Sequence, residues 1–347
     1  MDRKRSGRVK FILFFKNQKV KAKRNTNTDR NVNRKVKNQE KSGGDAAAGF
    51  AGSNEINFTI KDLAELSGIK PHTIRIWEQR FSFLNPQRTE TSRRIYSGPQ
   101  VIFFLHVCLL KQDGYRMTRI AQMSREERNE IITRINGPQK YIKVIFELIG
   151  CMINLDTLRF NNILDKCVRE WGIHETLYCV ILPFVERTCL FENPEKKTYK
   201  LNLLLIVECI KQKIYLGIES ATERPQESRT ILLFSAGAWD LLPLYIHYLA
   251  KREGFTTIYP GKYFSFTELN MICASKRPDY IIGHFAENYR NPDLIEFLNA
   301  VTHELPHSHF ISTGRALSVD KPLQNYHPIE NPLEIISLLN SLHKRSG

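Results

Sequence analysis

Between Ile56 and Tyr96 the apolar positions fall into short amphipathic runs broken by turn signals. Thr59 stands before the first run with Asp62 three residues on, a spacing that lets a side-chain oxygen satisfy the free amides of a helix's first turn. Leu63, Ala64 and Leu66 then make a buried stripe. Gly68 supplies a tight turn, and Pro71 stands where a second helix begins, a position that needs no backbone donor. On that second helix Ile74, Trp77, Glu78 and Phe81 share one face, and His72, Arg75, Ile76 and Gln79 share the opposite one. After Asn85-Pro86, the stretch from Gln87 to Tyr96 reads as two short strands around a turn at Thr91-Ser92. Two helices joined this closely and followed by a hairpin predict a winged helix-turn-helix.

The period then changes twice. From Pro138 to about Thr222 it is helical throughout, with apolar residues three and four apart in Tyr141 to Met152, Leu155 to Trp171, His174 to Cys189 and Tyr199 to Ile218, enough for a four-helix bundle. The polar run Glu223 to Ser228 reads as a linker. From Arg229 onward, strand-like runs (Thr230 to Ser235, Thr256 to Tyr259, Tyr280 to Ile282, His309 to Ser312) alternate with helical ones (Leu241 to Arg252, Phe266 to Lys276, Pro292 to Leu305), and a last helix is expected from Pro332 to His343. That alternation predicts a doubly wound parallel sheet of flavodoxin-like or Rossmann-like type. The expected fold class is therefore α + α/β, with a tail over 1–55, a winged helix-turn-helix over 56–135, a helical bundle over 138–222 and an α/β domain over 229–347.

Charge changes the picture most at the amino end. Residues 1 to 50 hold 15 Lys and Arg against 4 Asp and Glu, a net of +11, which leaves only +4 of the formal +15 for the rest of the chain. Such a segment, rich in Asn, Lys and Arg, is expected to stay disordered; it reads either as a nonspecific phosphate-binding arm or as an extension without a role. A 42% hydrophobic and 25% charged composition is that of an ordinary globular chain. No apolar run approaches the roughly 20 residues of a membrane span, and Phe11 to Phe15 is too short for a secretory signal, so a cytoplasmic protein without a membrane partner is expected. The seven cysteines include no CxxC pair and read as buried thiols rather than a zinc or disulfide framework.

Between Asn57 and Arg134, 13 basic residues face 8 acidic ones. Arg75 sits where a recognition helix would meet the major groove, flanked by Thr73 and Arg80, while Arg88, Arg93 and Arg94 near the hairpin tip would reach neighbouring phosphates. Spacing alone also permits a merely solvated face.

The order of residues narrows this. Phe58-Thr59-Ile60 with Leu63-Ala64, Gly68-Ile69, Pro71 to Arg75, Trp77-Glu78, Arg80-Phe81, Pro86, Arg88-Thr89 and Arg94-Ile95-Tyr96-Ser97 closely resembles the DNA-binding domain of MerR-type regulators. The resemblance implies binding to double-stranded promoter DNA as a dimer or higher oligomer. It implies a DNA-facing set of Thr59, Lys61, His72, Thr73, Arg75, Trp77, Arg80, Arg88, Arg93, Arg94 and Tyr96, with Arg75 and Thr73 on the recognition helix and Arg94 and Tyr96 on the wing. Ser92 departs from the pattern, standing where the family usually has glycine.

Residues 138 to 345 resemble, more loosely, the cobalamin-binding modules of light-responsive MerR-type repressors and of corrinoid-dependent methyltransferases, through Ile181-Leu182-Pro183, Ile210 to Ile214 and Arg277-Pro278-Asp279. That family places a histidine below the cobalt and a glycine three residues later; here the positions fall on Asp240 and Pro243. Its Glu-His pair aligns with Leu204-Leu205, its capping tryptophan falls at or near Phe191, and its paired glycines become Thr313-Gly314. A carboxylate is a poor substitute for imidazole at cobalt. Cobalamin is therefore expected to be lost, with no cofactor in its place, and this half to serve oligomerisation, docking of RNA polymerase or another protein, or an unknown effector. No nucleophile elbow, Walker loop or dinucleotide fingerprint is present, and His303, His307 and His309, though close in sequence, flank Pro306 at the end of a helix and read as surface or core histidines, so neither an enzyme nor a metal site is expected. Trp239, at a strand's carboxyl end, reads either as a ligand contact or as loop packing. The competing function class is a corrinoid-type or other small-molecule-binding protein or enzyme with an accessory helix-turn-helix.

Overall fold

A computed structural model describes residues 56–188, 200–221, 229–235, 240–261, 265–285, 292–314 and 325–329, with isolated positions between 334 and 341. The basic tail, Phe191, Trp239 and most of the expected Pro332–His343 helix lie outside the described residues. Residues Met1–Ser53 separate from Asn54–Gly347, and only the second unit is described below.

Helix α1 (Ile60–Ser67) begins at Thr59 through a reciprocal capping box: the Asp62 amide donates to Thr59 Oγ1 (3.3 Å) and the Thr59 amide donates to Asp62 Oδ2 (2.8 Å). It ends at Gly68, whose φ of 75° is the left-handed cap conformation that glycine adopts without strain. Three residues later α2 (Pro71–Phe81) starts with proline in its first turn. Strands β1 (Phe58–Thr59), β2 (Gln87–Arg88) and β3 (Arg94–Tyr96) form a small antiparallel sheet with β3 in the middle. Helices α3 (Gly98–Gln112), α4 (Met117–Gln122) and α5 (Arg125–Arg134) follow.

The central helical region comprises α6 (Lys140–Ile153), α7 (Thr157–Trp171), α8 (Ile173–Thr176), α9 (Leu182–Arg187) and α10 (Lys200–Ser220). A π-helical turn, Leu177–Ile181, joins α8 to α9. It lies just before Pro183, which has no amide to donate to the preceding turn, and widening the helix there accommodates the missing bond. One hydrophobic core runs without interruption from Phe58 and Leu63 through Phe104, Ile149 and Ile210 to Leu249. The small sheet and its helices are therefore packed onto the helical region, not strung ahead of it.

The carboxyl region is a sheet of five parallel strands, in the order β5-β4-β6-β7-β8: β4 (Thr230–Ser235), β5 (Thr256–Ile258), β6 (Tyr280–Phe285), β7 (His309–Gly314) and β8 (Tyr326–Ile329). Alternate residues feed two cores, Ile231, Leu233 and Ile282 with α11 (Leu241–Arg252) on one face, and Leu232, Phe234 and Ile281 with α12 (Phe266–Lys276) and α13 (Pro292–Glu304) on the other. Strand order reverses between β4 and β6, so the crevice beyond their carboxyl ends is where such sheets accommodate ligands. Helix α10 meets α11 at Gly217, where a Cβ would come within 3.0 Å of Leu177 and of the Tyr248 ring. Strand β8, at the edge, was not expected from the sequence; its Pro328 and short length weaken the strand signal.

Candidate nucleic-acid interface

Helix α2 divides as its spacing requires. Ile74 is fully buried, Trp77 packs half-buried against Phe104 with ring centroids 6.0 Å apart, and Phe81 stacks on Phe83 at 5.5 Å. His72, Arg75, Gln79 and Arg80 are exposed on the other side, with Thr73 and Ile76 half-buried between them. The Arg80 guanidinium lies over the Phe81 ring at 5.6 Å, a cation–π contact at a residue that remains exposed. The result is a solvent-facing row of donors on a helix whose inner face is anchored.

The β2–β3 hairpin lies beside it, in the register Gln87↔Ile95 and Arg88↔Arg94. Its turn is closed by the Ser92 amide donating to the Thr89 carbonyl (2.8 Å) and by the Arg93 amide donating to Thr89 Oγ1 (3.1 Å). Ser92 takes φ of 59°, the left-handed corner for which glycine is the unstrained residue. Arg88 and Arg93 project from the hairpin and are exposed. Thr59, at the start of α1, spends its hydroxyl on Asp62 (2.7 Å), and Lys61 beside it is exposed.

Two members of the expected set are tied to Glu78. Tyr96 is fully buried and its hydroxyl donates to Glu78 Oε2 at 3.0 Å. Arg94 Nε donates to Glu78 Oε1 at 3.0 Å. Arg94, expected to reach phosphates, is instead engaged within the domain, and Tyr96 is enclosed in its core. The physical reason is Glu78: a carboxylate on the inward face of α2 is costly to bury unless paired, and β3 supplies a cation and a hydroxyl together. The hydrogen bond and charge of Glu78 hold the Arg94 guanidinium above its ordinary pKa. Burial, then the Glu78 charge, pushes the Tyr96 phenol upward, so it stays a neutral donor. Trp77 likewise spends its ring on Phe104. The outward set is accordingly His72, Arg75, Gln79 and Arg80 on α2, Lys61 on α1, and Arg88 and Arg93 on the hairpin.

In the carboxyl region Asp240 stands before the first residue of α11, at the carboxyl end of β4. Its carboxylate does not cap that helix; it takes Lys211 Nζ from α10 at 2.7 Å, with both side chains about one-tenth exposed. Burial opposes the charge on Lys211, but the hydrogen bonds and charges of Asp240 and of Glu208 (3.3 Å) together outweigh it and its pKa is raised. Pro243 is buried in the first turn of α11, and Leu204 and Leu205 are exposed on α10. A carboxylate already held by an ammonium does not fit the role of an axial nitrogen donor below cobalt. Deeper on the same face, His284 Nδ1 lies 3.0 Å from Thr313 Oγ1, in register with Ser235 on β4, and burial pushes the His284 imidazole down to about 4. Among the described residues no cluster of three His, Cys, Asp or Glu could hold a metal ion, and no helix is long and apolar enough to cross a membrane.

Residues 58–127 match the family described as MerR HTH family regulatory protein. The chain is similar to the HTH-type transcriptional repressor CarA of Myxococcus xanthus, 23% identical over 232 residues that cover 65% of this chain and 75% of that protein. It is also similar to the HTH-type transcriptional repressor CarH of Myxococcus xanthus, 30% identical over 69 residues, which span 20% of this chain and 23% of that one. Among solved structures it is similar to the monomethylamine corrinoid protein of Methanosarcina barkeri, with 9% identity and a TM-score of 0.42 over 58% of this chain and 98% of that one. A second is the methanol:cobalamin methyltransferase complex MtaBC of Methanosarcina barkeri, with 12% identity and a TM-score of 0.34 over 67% and 91%.

Proposed function

Residues 58–127 form a MerR-type helix-turn-helix domain, and on that premise we propose that the chain is a transcription regulator that binds double-stranded DNA as a dimer or higher oligomer. The observation that carries this reading is the outward row of His72, Arg75, Gln79 and Arg80 on α2 beside the exposed Arg88 and Arg93 of the hairpin. A helix of that composition enters the major groove, where Arg75 reads a base edge, and the hairpin acts as a wing on the flanking phosphates. Glu78 keeps helix and wing at a fixed angle, so both meet one duplex together. The relatives are named as repressors, which supports regulation over catalysis.

The carboxyl half serves self-association or the docking of a protein partner, and it holds no corrinoid. Its Asp240 is committed to Lys211, and that pair ties α10 to the start of α11. Enrichment of duplexes from a random pool by the full-length chain tests the central reading. The expected product is an inverted repeat whose half-sites lie roughly one helical turn, or a multiple, apart; a pool that converges on no consensus contradicts it.

A further inference from the structure

Helix α1 carries no basic residue in its last turn. Gly68 closes the helix by donating to Ala64, but the Leu66 carbonyl lies beyond the reach of that bond. Its donor comes from the far side of the core. Arg187, the last residue of α9 and 121 residues on, donates from Nη1 to Leu66 O at 3.1 Å. Arg187 is itself buried, with its guanidinium over the Phe146 ring of α6 at 5.6 Å. It also lies against the turn, since a Cβ on Gly68 would come within 3.0 Å of Nη1. A cation at the carboxyl end of a helix is favoured by the partial negative charge of the terminal carbonyls, and shielding from water strengthens the effect.

From this geometry we propose that Arg187 is a positioning residue for DNA recognition: by capping α1 from the helical region, it fixes the turn between α1 and α2 relative to the carboxyl half. The inference rests on the DNA-binding reading above and deepens it. The reading helix follows Gly68 by only three residues, so whatever holds the end of α1 also aims α2. Through the same contact, a rearrangement that moves α9 moves the reading helix. The DNA-binding part is then a head clamped to the carboxyl half, and specific binding depends on a residue that touches no DNA.

The test uses the full chain as wild type, Arg187→Met and Arg187→Lys. Methionine keeps the packing on Phe146 and removes the donor; lysine keeps one charged donor. Amide hydrogen exchange is read without DNA, and affinity is titrated on the enriched duplex and on a scrambled one. In Arg187→Met the amides of Gly68 and Ile69 should exchange faster while those of α10 hold. Affinity for the enriched duplex should fall about 10-fold, with the scrambled duplex and the salt slope unchanged. Arg187→Lys should recover part of both effects, and it supplies the same two readouts against wild type should the methionine variant fail to fold. Wild-type exchange at Gly68 and Ile69 in the variants overturns the proposal, and so does an equal loss on both duplexes. A wild-type chain with no preference between duplexes refutes the DNA-binding reading instead, and the exchange data still decide whether Arg187 holds the turn.

Discussion

Removing Glu78 should weaken DNA binding even though it removes a negative charge from beneath the proposed DNA-facing surface. Two charge-assisted hydrogen bonds of 3.0 Å end on this carboxylate, from Arg94 Nε and the Tyr96 hydroxyl. Such bonds contribute about 1.5–3 kcal/mol each when shielded. The Glu78 and Arg94 side chains retain 13% and 27% exposure, so screening brings that pair toward the lower bound, while the Tyr96 hydroxyl is the better-shielded partner. Glu78→Ala should therefore cost about 2–3 kcal/mol in urea unfolding followed by circular dichroism. Tyr96→Phe should cost about 1.5 kcal/mol, and the double variant should fall short of additivity by a similar amount, about 1.5 kcal/mol. With its anchor gone the hairpin no longer presents Arg88 and Arg93 at a fixed angle, so affinity for the enriched duplex should drop. Pure electrostatics predicts the opposite, tighter binding to every duplex. Additive single effects, or a uniform gain in affinity, would refute the anchoring role.

Three further outcomes follow from the carboxyl half. Lys211→Met should destabilise by about 3 kcal/mol because it leaves Asp240 charged and shielded, whereas Lys211→Met with Asp240→Leu should recover most of that loss in the same unfolding assay. His284 is neutral in the fold, with its pKa lowered from 6.5 to about 4 by burial; its contribution is intact above pH 6.5 and is lost as pH falls toward 4, about 3 kcal/mol in all. His284→Gln should therefore flatten the acid limb of the stability profile over that window, and an unchanged limb contradicts the assignment. Chain purified with excess adenosylcobalamin should show no stoichiometric corrin absorbance after gel filtration, and Asp240→His alone should not restore it, since the neighbouring Pro243 and Leu204-Leu205 remain.

The elements that were legible in the sequence are those whose signals are local. The Thr59–Asp62 box, Gly68, Pro71 and the three-and-four spacing of α2 each act within a turn or two, and each stands where the structure has it. The parallel sheet was legible because its apolar runs, buried on both faces, alternate with helical periods. What stayed hidden depends on pairs far apart in the chain. Arg94 and Tyr96 read as DNA contacts because nothing near them showed that Glu78, sixteen and eighteen residues earlier, would need both. The signal was there on α2 itself, a carboxylate on an otherwise apolar face. Lys211 and Arg187 gave no such signal, being charged residues in helical periods whose partners, Asp240 and the Leu66 carbonyl, are brought to them only by the packing of α10 and α9.

If α2 is the reading helix, Arg75 is the residue whose loss shows it most directly. Full-length wild type and Arg75→Ala are titrated against the enriched duplex and its scrambled counterpart at one salt concentration, after circular dichroism shows both folded. Arg75→Ala should lose about 1–3 kcal/mol on the enriched duplex, with little change on the scrambled one. Equal affinity of the two proteins for the enriched duplex would contradict it, because an exposed arginine that leaves specific binding untouched is not on a recognition helix.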